Sequence, residues 1–167
     1  MRTFVATLAS TVLLSCGYAF ASNMPNITSV SEITMQQYQT ITIQGSGFGT
    51  QAAPYTGDSP YIQLNDLTKV WQAGHTICGC ITDDWVTLIV SSWTDSQITL
   101  GGFSGKWGWY NWTLDSGDKI TIGVSNPQSG LGPAFISTTV APEPSSLILL
   151  GGGILGLVGV IRKKLTT

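Results

Sequence analysis

The sequence predicts an all-β domain, and two observations support that prediction. Between the two ends of the chain, short runs of alternating apolar and polar residues are separated by turn-forming glycine, proline, asparagine and aspartate. No stretch of this region shows a long period of 3.6 residues, the spacing of an amphipathic helix. The alternation is typical of sheets that bury one face and expose the other to water.

Seven runs between residues 22 and 141 have this strand character. Ile41 and Ile43, for example, alternate with threonine and glutamine, and Ile120, Ile122 and Val124 stand opposite small polar residues. The seven runs lie at 27–31, 41–44, 61–65, 86–90, 98–100, 120–125 and 135–140. Seven strands are enough for two packed antiparallel sheets, so the sequence predicts a single β-sandwich over residues 22–141.

The amino end has the layout of a secretory signal peptide over residues 1–21. Arg2 gives a short positive region, residues 4–14 are apolar, and Ala19-Phe20-Ala21 is a small-x-small cleavage site. The mature chain is therefore expected to start at Ser22. An alternative is the run Leu13-Leu14-Ser15-Cys16-Gly17, which resembles a lipobox and would make Cys16 the lipidated first residue of a lipid-anchored envelope protein.

Residues 142–167 form a second targeting segment. Pro142-Glu143-Pro144 precedes an uncharged stretch, 145–161, which as a helix would reach about 25 Å against a hydrocarbon core of about 30 Å. The basic cluster Arg162, Lys163 and Lys164 follows directly. By the positive-inside tendency these cations stay in the cytoplasm, so we expect a transmembrane helix at 145–161 with the domain outside.

This tail resembles the PEP-CTERM sorting signal of Gram-negative bacteria, in which a Pro-Glu-Pro motif, an apolar helix and a basic end occur in that order. The resemblance implies that an exosortase, a membrane enzyme, processes the tail. It also implies an inner-membrane-anchored precursor that is then delivered to the cell surface or released outside the cell.

The order of the strands resembles the IPT/TIG family of immunoglobulin-like domains. The matching pieces are residues 27–30, 41–49, 92–98 and 117–127, whereas residues 52–84 are longer than the family usually carries. Within the second piece, the glycines of 45–49 predict a turn that lets Phe48 fold back on the core. Members of this family are binding or spacer modules, so the resemblance implies adhesion or scaffolding without a shared catalytic site.

The charge of the domain argues against nucleic acid as a partner. Residues 22–141 contain three lysines against eight acidic residues, a net charge of −5. A surface that binds the phosphate backbone of a nucleic acid is basic, whereas the net charge of this domain is negative.

Cys78-Gly79-Cys80 is the cluster in the sequence whose residue types point most directly to specific chemistry. In an oxidising compartment these two cysteines are candidates for a disulfide with each other or between chains. A metal site with nearby His75, Asp83 and Asp84 is the sharper alternative, but the spacing lacks the two pairs of ligands typical of structural zinc. No metal and no other cofactor is therefore predicted.

The aromatic group from Trp107 to Trp112 is the candidate recognition surface. If the segment is extended, Trp107 and Trp109 share one face and Tyr110 and Trp112 the other, so one face packs on the core and the other is free to stack on sugar rings. Trp71, Trp85 and Trp93 are expected in the core or at its rim.

Together these features predict a noncatalytic exported protein that associates with exopolysaccharide or other cell-surface components in biofilm. The alternative is a small secreted carbohydrate-active enzyme that uses Asp83, Asp84 or Asp118 on loops between strands. The scattered acids and the single histidine favour the noncatalytic function.

Overall fold

The computed structural model describes residues 24–74 and 86–142. Several predicted features therefore lie outside the described residues: the signal cleavage site at Ala19 and Ala21, the Cys78–Cys80 pair, the membrane helix, and the basic cluster Arg162, Lys163 and Lys164. Within the described ranges, no helix has the length and apolar character needed to cross a membrane.

The described chain is all-β apart from one 3-10 turn. Its elements are β1 (Asn26–Val30), β2 (Ile41–Ser46), β3 (Tyr55–Gly57), β4 (Ile62–Asp66), β5 (Trp71–Ala73), β6 (Val86–Trp93), β7 (Gln97–Gly105), the 3-10 turn Trp109–Asn111, β8 (Lys119–Val124) and β9 (Ala134–Thr139). The all-β prediction is confirmed, and each predicted run overlaps a strand. The two additional strands, β3 and β5, span three residues each, which is too short for alternation to reveal them.

The strands form one sheet that curls into a nearly closed barrel, whereas the sequence predicted two separate packed sheets. Their order is β1-β2-β7-β6-β5-β4-β8-β9, and β3 pairs with β6 beside this path. Two antiparallel groups, β1-β2-β7-β6 and β5-β4-β8-β9, meet through the single parallel pair Ala73 and Val86. At the other edge, Ile33 forms a parallel bridge with Val140, and the Ala141 amide donates to the Ile33 carbonyl at 2.8 Å.

The core lies inside this barrel and follows the predicted alternation. Ile41 and Ile43 are fully buried, while their polar neighbours point outward. The predicted turn after β2 also occurs: Phe48 is fully buried, and its carbonyl accepts a hydrogen bond from Trp93 Nε1 at 3.1 Å. Gly47 and Gly49 have φ of 71° and 66°, the left-handed conformation that glycine adopts without strain.

The chain leaves the barrel at Pro142, and three connections lie at that same end. Because β8 begins opposite the last residue of β9, and β4 ends opposite the start of β8, residues 67–70 and 106–118 lie beside the exit. Residues 31–40 lie there too, through the Ile33–Val140 bridge. We call this the tail-proximal end, defined by residues 31–40, 67–70, 106–118 and 140–142.

Candidate functional site

The aromatic group does not form a strand, so the predicted division of its rings between two faces is wrong. β7 ends at Gly105, and Gly108 has φ of 86°, which breaks the extended conformation. A compact turn follows, closed by a bond from the Trp112 amide to the Trp109 carbonyl at 2.8 Å. Trp107 and Trp109 are consequently separated instead of sharing a face.

Trp107 packs on the edge of the core. Its ring stacks on Phe103 with centroids 4.5 Å apart and meets Trp71 edge-on at 5.8 Å. Trp71 and Trp93 are themselves buried, as predicted, and Trp85 lies outside the described residues. Trp107 therefore anchors the loop to the core, and only part of its ring is accessible to a ligand.

The other rings of the group belong to Trp109, Tyr110 and Trp112, which we call the aromatic turn. Trp112 is half-buried and packs against the core, so Trp109 and Tyr110 are the rings that face outward. Trp109 is 59% exposed and Tyr110 is 80% exposed. The Tyr110 and Trp112 rings lie 5.3 Å apart at an interplanar angle of 53°. These side chains give the tail-proximal end a surface of large flat rings, the type of surface that marks interaction sites.

A lysine at the end of the β4–β5 connection holds the loop of the aromatic turn in place. Lys69 Nζ lies 2.9 Å from Asp115 Oδ2 and 3.7 Å from Asp118 Oδ2, and it donates to the carbonyl and hydroxyl oxygens of Thr113 at 3.1 Å each. Trp71 Nε1 donates to the same carbonyl at 3.2 Å. The Lys69 side chain is only 11% exposed and that of Asp118 only 6%, so this ion pair is shielded from water, whereas the Asp115 carboxylate is 64% exposed.

Asp66 lies beneath this cluster and is nearly inaccessible. Its Oδ1 accepts bonds from the amides of Thr68 and Lys69 at 2.8 and 2.9 Å, whereas its buried Oδ2 accepts none from the described residues. Burial raises the pKa of the Asp66 carboxyl, the two amide donors oppose that rise, and the neighbouring Asp118 carboxylate adds to it. Sequence reasoning missed Asp66 and Lys69, although an aspartate followed by a polar turn is a recognisable sign of side-chain capping.

Of the three aspartates considered for catalysis, Asp118 belongs to the Lys69 cluster, and Asp83 and Asp84 lie outside the described residues. Asp118 is buried, and its Oδ2 accepts a bond from the Asp115 amide at 2.7 Å, so it fixes the turn before β8. Asp83 and Asp84, with His75, lie in the undescribed stretch 75–85. Among residues 24–74 and 86–142, no group of three or more histidine, cysteine or acidic side chains is arranged to hold a metal ion.

Comparison with known families identifies the tail. The family described as PEP-CTERM protein-sorting motif matches residues 140–163, a range that includes Pro142, Glu143 and Pro144. Neither a curated protein nor a solved structure matches the chain. The chain therefore carries a PEP-CTERM sorting motif, which implies an exported protein that is anchored in a membrane before an exosortase, a membrane enzyme, processes it.

Proposed function

We propose that this protein is a noncatalytic surface or matrix protein of a Gram-negative bacterium, and that it associates with exopolysaccharide or other surface components in biofilm. The observation that carries the proposal is the aromatic turn, where Trp109 and Tyr110 expose large rings on an exported domain. The apolar faces of sugar rings fit flat aromatic side chains.

Polar groups beside the rings suit a glycan as the partner. Asn111 lies on the surface inside the turn, and the Asp115 carboxylate is 64% exposed. An amide and a carboxylate in the loop that carries the exposed rings offer hydrogen bonds to sugar hydroxyls. This combination of a few polar groups with apolar contact area is typical of small-molecule recognition.

The loop that carries the aromatic turn is held in place before any ligand binds. The Lys69 cluster fixes Thr113 and Asp115 from one side, and Trp107 stacks on Phe103 from the other. A site whose support is fixed before binding loses less conformational entropy when the ligand arrives.

We further propose that the domain is immunoglobulin-like and of the IPT/TIG kind. In an immunoglobulin sandwich of strands A to G, one sheet has the order A-B-E-D and the other contains C-F-G. The groups β1-β2-β7-β6 and β4-β8-β9 follow that order when the short β3 and β5 are set aside as additions. This agreement supports the assignment, and with it a role in binding or spacing.

The test is glycan affinity of the exported, processed protein, measured by mobility in gels containing soluble polysaccharide, including polysaccharide from the native host. Covering about 80 Å² of one indole face is worth about 2 kcal/mol, or about 30-fold in Kd. We therefore expect Trp109→Ala to weaken binding by about that factor and Trp112→Ala to weaken it as well. Phe135→Ala, which removes an exposed ring on β9, is the matched control and should bind like the natural protein.

Two results would contradict this function. The first is equal mobility of all variants in every polysaccharide gel. The second is the release of reducing ends from any of these polysaccharides, because turnover would point to the carbohydrate-active enzyme instead.

A further inference from the structure

Exposed apolar side chains concentrate at the tail-proximal end. Among the described residues, seven large apolar side chains are exposed, and five of them lie at this end. The five are Tyr38, Leu67, Val70, Trp109 and Tyr110, which we call the apolar end patch. The other two, Met24 and Phe135, lie away from it, since Met24 precedes the start of β1 and Phe135 is near the start of β9.

Two of the turns that carry this patch contain non-glycine residues in the left-handed backbone conformation. Val70 has φ of 59° and Tyr110 has φ of 47°, a conformation that side-chain-bearing residues rarely adopt. In the described ranges, the non-glycine residues with positive φ are Val70, Tyr110 and Asn111, all at this end. Val70 is also 85% exposed, so packing does not explain why a β-branched residue stands there instead of glycine or asparagine.

The sorting tail leaves the domain beside this patch and is bonded to the loop that carries the aromatic turn. The Gly117 amide donates to the Val140 carbonyl, and the Val140 amide donates to the Asp118 carbonyl, both at 2.9 Å. After Pro142, the sequence has four residues, 143–146, before the apolar run begins at Leu147. Even fully extended, these span at most about 18 Å.

The connection formed by residues 143–146 is short compared with the diameter of the domain. A globular domain of about 120 residues has a radius of gyration of about 14 Å, so a tether of about 18 Å cannot let it turn its far end toward the membrane. The tail-proximal end must therefore face the lipid for as long as the tail is anchored.

We propose that, while its tail is attached, the domain rests on the lipid headgroup layer through the apolar end patch. Tryptophan and tyrosine are enriched at membrane interfaces because their rings join an apolar body to a polar tip. Leu67 and Val70 supply aliphatic side chains that enter the boundary between headgroups and acyl chains. This contact holds the Pro142-Glu143-Pro144 motif at the membrane surface, where a membrane-embedded processing enzyme meets it, and removal of the tail frees the aromatic turn.

The distribution of tryptophan makes this contact measurable. All six tryptophans lie between residues 71 and 112, and residues 143–167 contain none, so indole fluorescence reports on the domain alone. The full chain is incorporated into vesicles of phosphatidylethanolamine and phosphatidylglycerol whose acyl chains are brominated near the headgroup. We expect the brominated lipid to quench the emission, and Trp109→Phe to remove at least half of that quenching.

Variants outside the aromatic turn separate membrane contact from the glycan contact. Leu67→Ser and Val70→Gly should each reduce the quenching at least twofold, whereas Met24→Ser, the control at the far end, should leave it unchanged. Because Val70→Gly relieves backbone strain, a loss of quenching in that variant does not arise from unfolding. After processing, both variants should keep the natural affinity for polysaccharide.

The outcomes decide between the two surfaces. Absence of quenching in the natural full chain, or equal quenching in Leu67→Ser, Val70→Gly and Met24→Ser, would overturn the membrane contact. Failure of every form to bind polysaccharide would contradict the proposed function while the quenching pattern still supported this inference.

Discussion

Replacing Asp66 by asparagine is expected to stabilise the fold at neutral pH and to have little effect in acid. The carboxyl is 1% exposed, and two backbone amides already satisfy its Oδ1. Its Oδ2 is buried beside the Asp118 carboxylate without a donor among the described residues. Asparagine keeps the acceptor and places an N–H group where that oxygen stands.

The magnitude follows from the cost of the unsatisfied oxygen. A buried polar group that lacks its hydrogen bond costs about 1–3 kcal/mol. An amide that donates to Asp118 removes this cost, so we expect the free energy of unfolding to rise by about 2 kcal/mol at pH 7.

The pH dependence has a defined sign. Burial first, and the Asp118 carboxylate second, raise the folded-state pKa of Asp66 above its ordinary value of 3.8. The favourable contribution of the protonated carboxyl is therefore complete below pH 3.8 and is lost as the pH rises through the folded-state pKa. Since asparagine does not titrate, the advantage of the variant should be near zero around pH 4 and grow toward neutral pH.

Urea unfolding of the processed protein at a series of pH values measures this difference. Asp115→Asn is the control, since it changes an exposed carboxylate of the same cluster and should lower stability by at most about 1 kcal/mol, without a gain at neutral pH. Loss of stability in Asp66→Asn at pH 7, or a gain that is the same at pH 4 and pH 7, would refute the reasoning.

Three further predictions concern the support of the aromatic turn. Lys69→Met should lower the free energy of unfolding by about 3 kcal/mol, because it leaves the buried Asp118 carboxylate without its cation; a loss below about 1 kcal/mol in urea would contradict this. Val70→Gly should raise Tm by about 3 °C, since relief of about 1–2 kcal/mol of left-handed strain exceeds the entropic cost of glycine, and a lower Tm in calorimetry would count against it. Trp107→Ala should cost about 2–3 kcal/mol and Trp109→Ala less than about 0.5 kcal/mol, because only the first ring packs on the core; equal losses in parallel urea titrations would show that the two rings are not so divided.

Most strands could be predicted because the alternation of apolar and polar residues fixes which face is buried. Ile41, Ile43, Ile120 and Ile122 show this pattern, and all four are fully buried. The short strands β3 and β5 were not found in this way, since each spans only three residues. β3 also pairs with β6, which is distant in the sequence, whereas β5 pairs with its neighbour β4.

In the aromatic group, by contrast, the sequence contains a sign of the turn that the alternation of residues does not show. Gly105 and Gly108 flank Trp107, and glycines at that spacing favour a turn over a strand. The contacts that fix the turn were beyond sequence reasoning, because Lys69 meets Asp115 and Asp118 only after β4 and β8 have paired. Val70 carries no sequence sign of its left-handed backbone, since valine is among the residues least suited to it.

The intact mass of the protein recovered from the surface fraction of its native host tests the central claim, that terminal segments deliver a folded β-domain to the outside. The account predicts a chain that begins near Ser22 and ends near Pro144, with a deficit of two hydrogens if Cys78 and Cys80 are joined. A full-length chain with both ends intact, recovered from the cytosol, would contradict it.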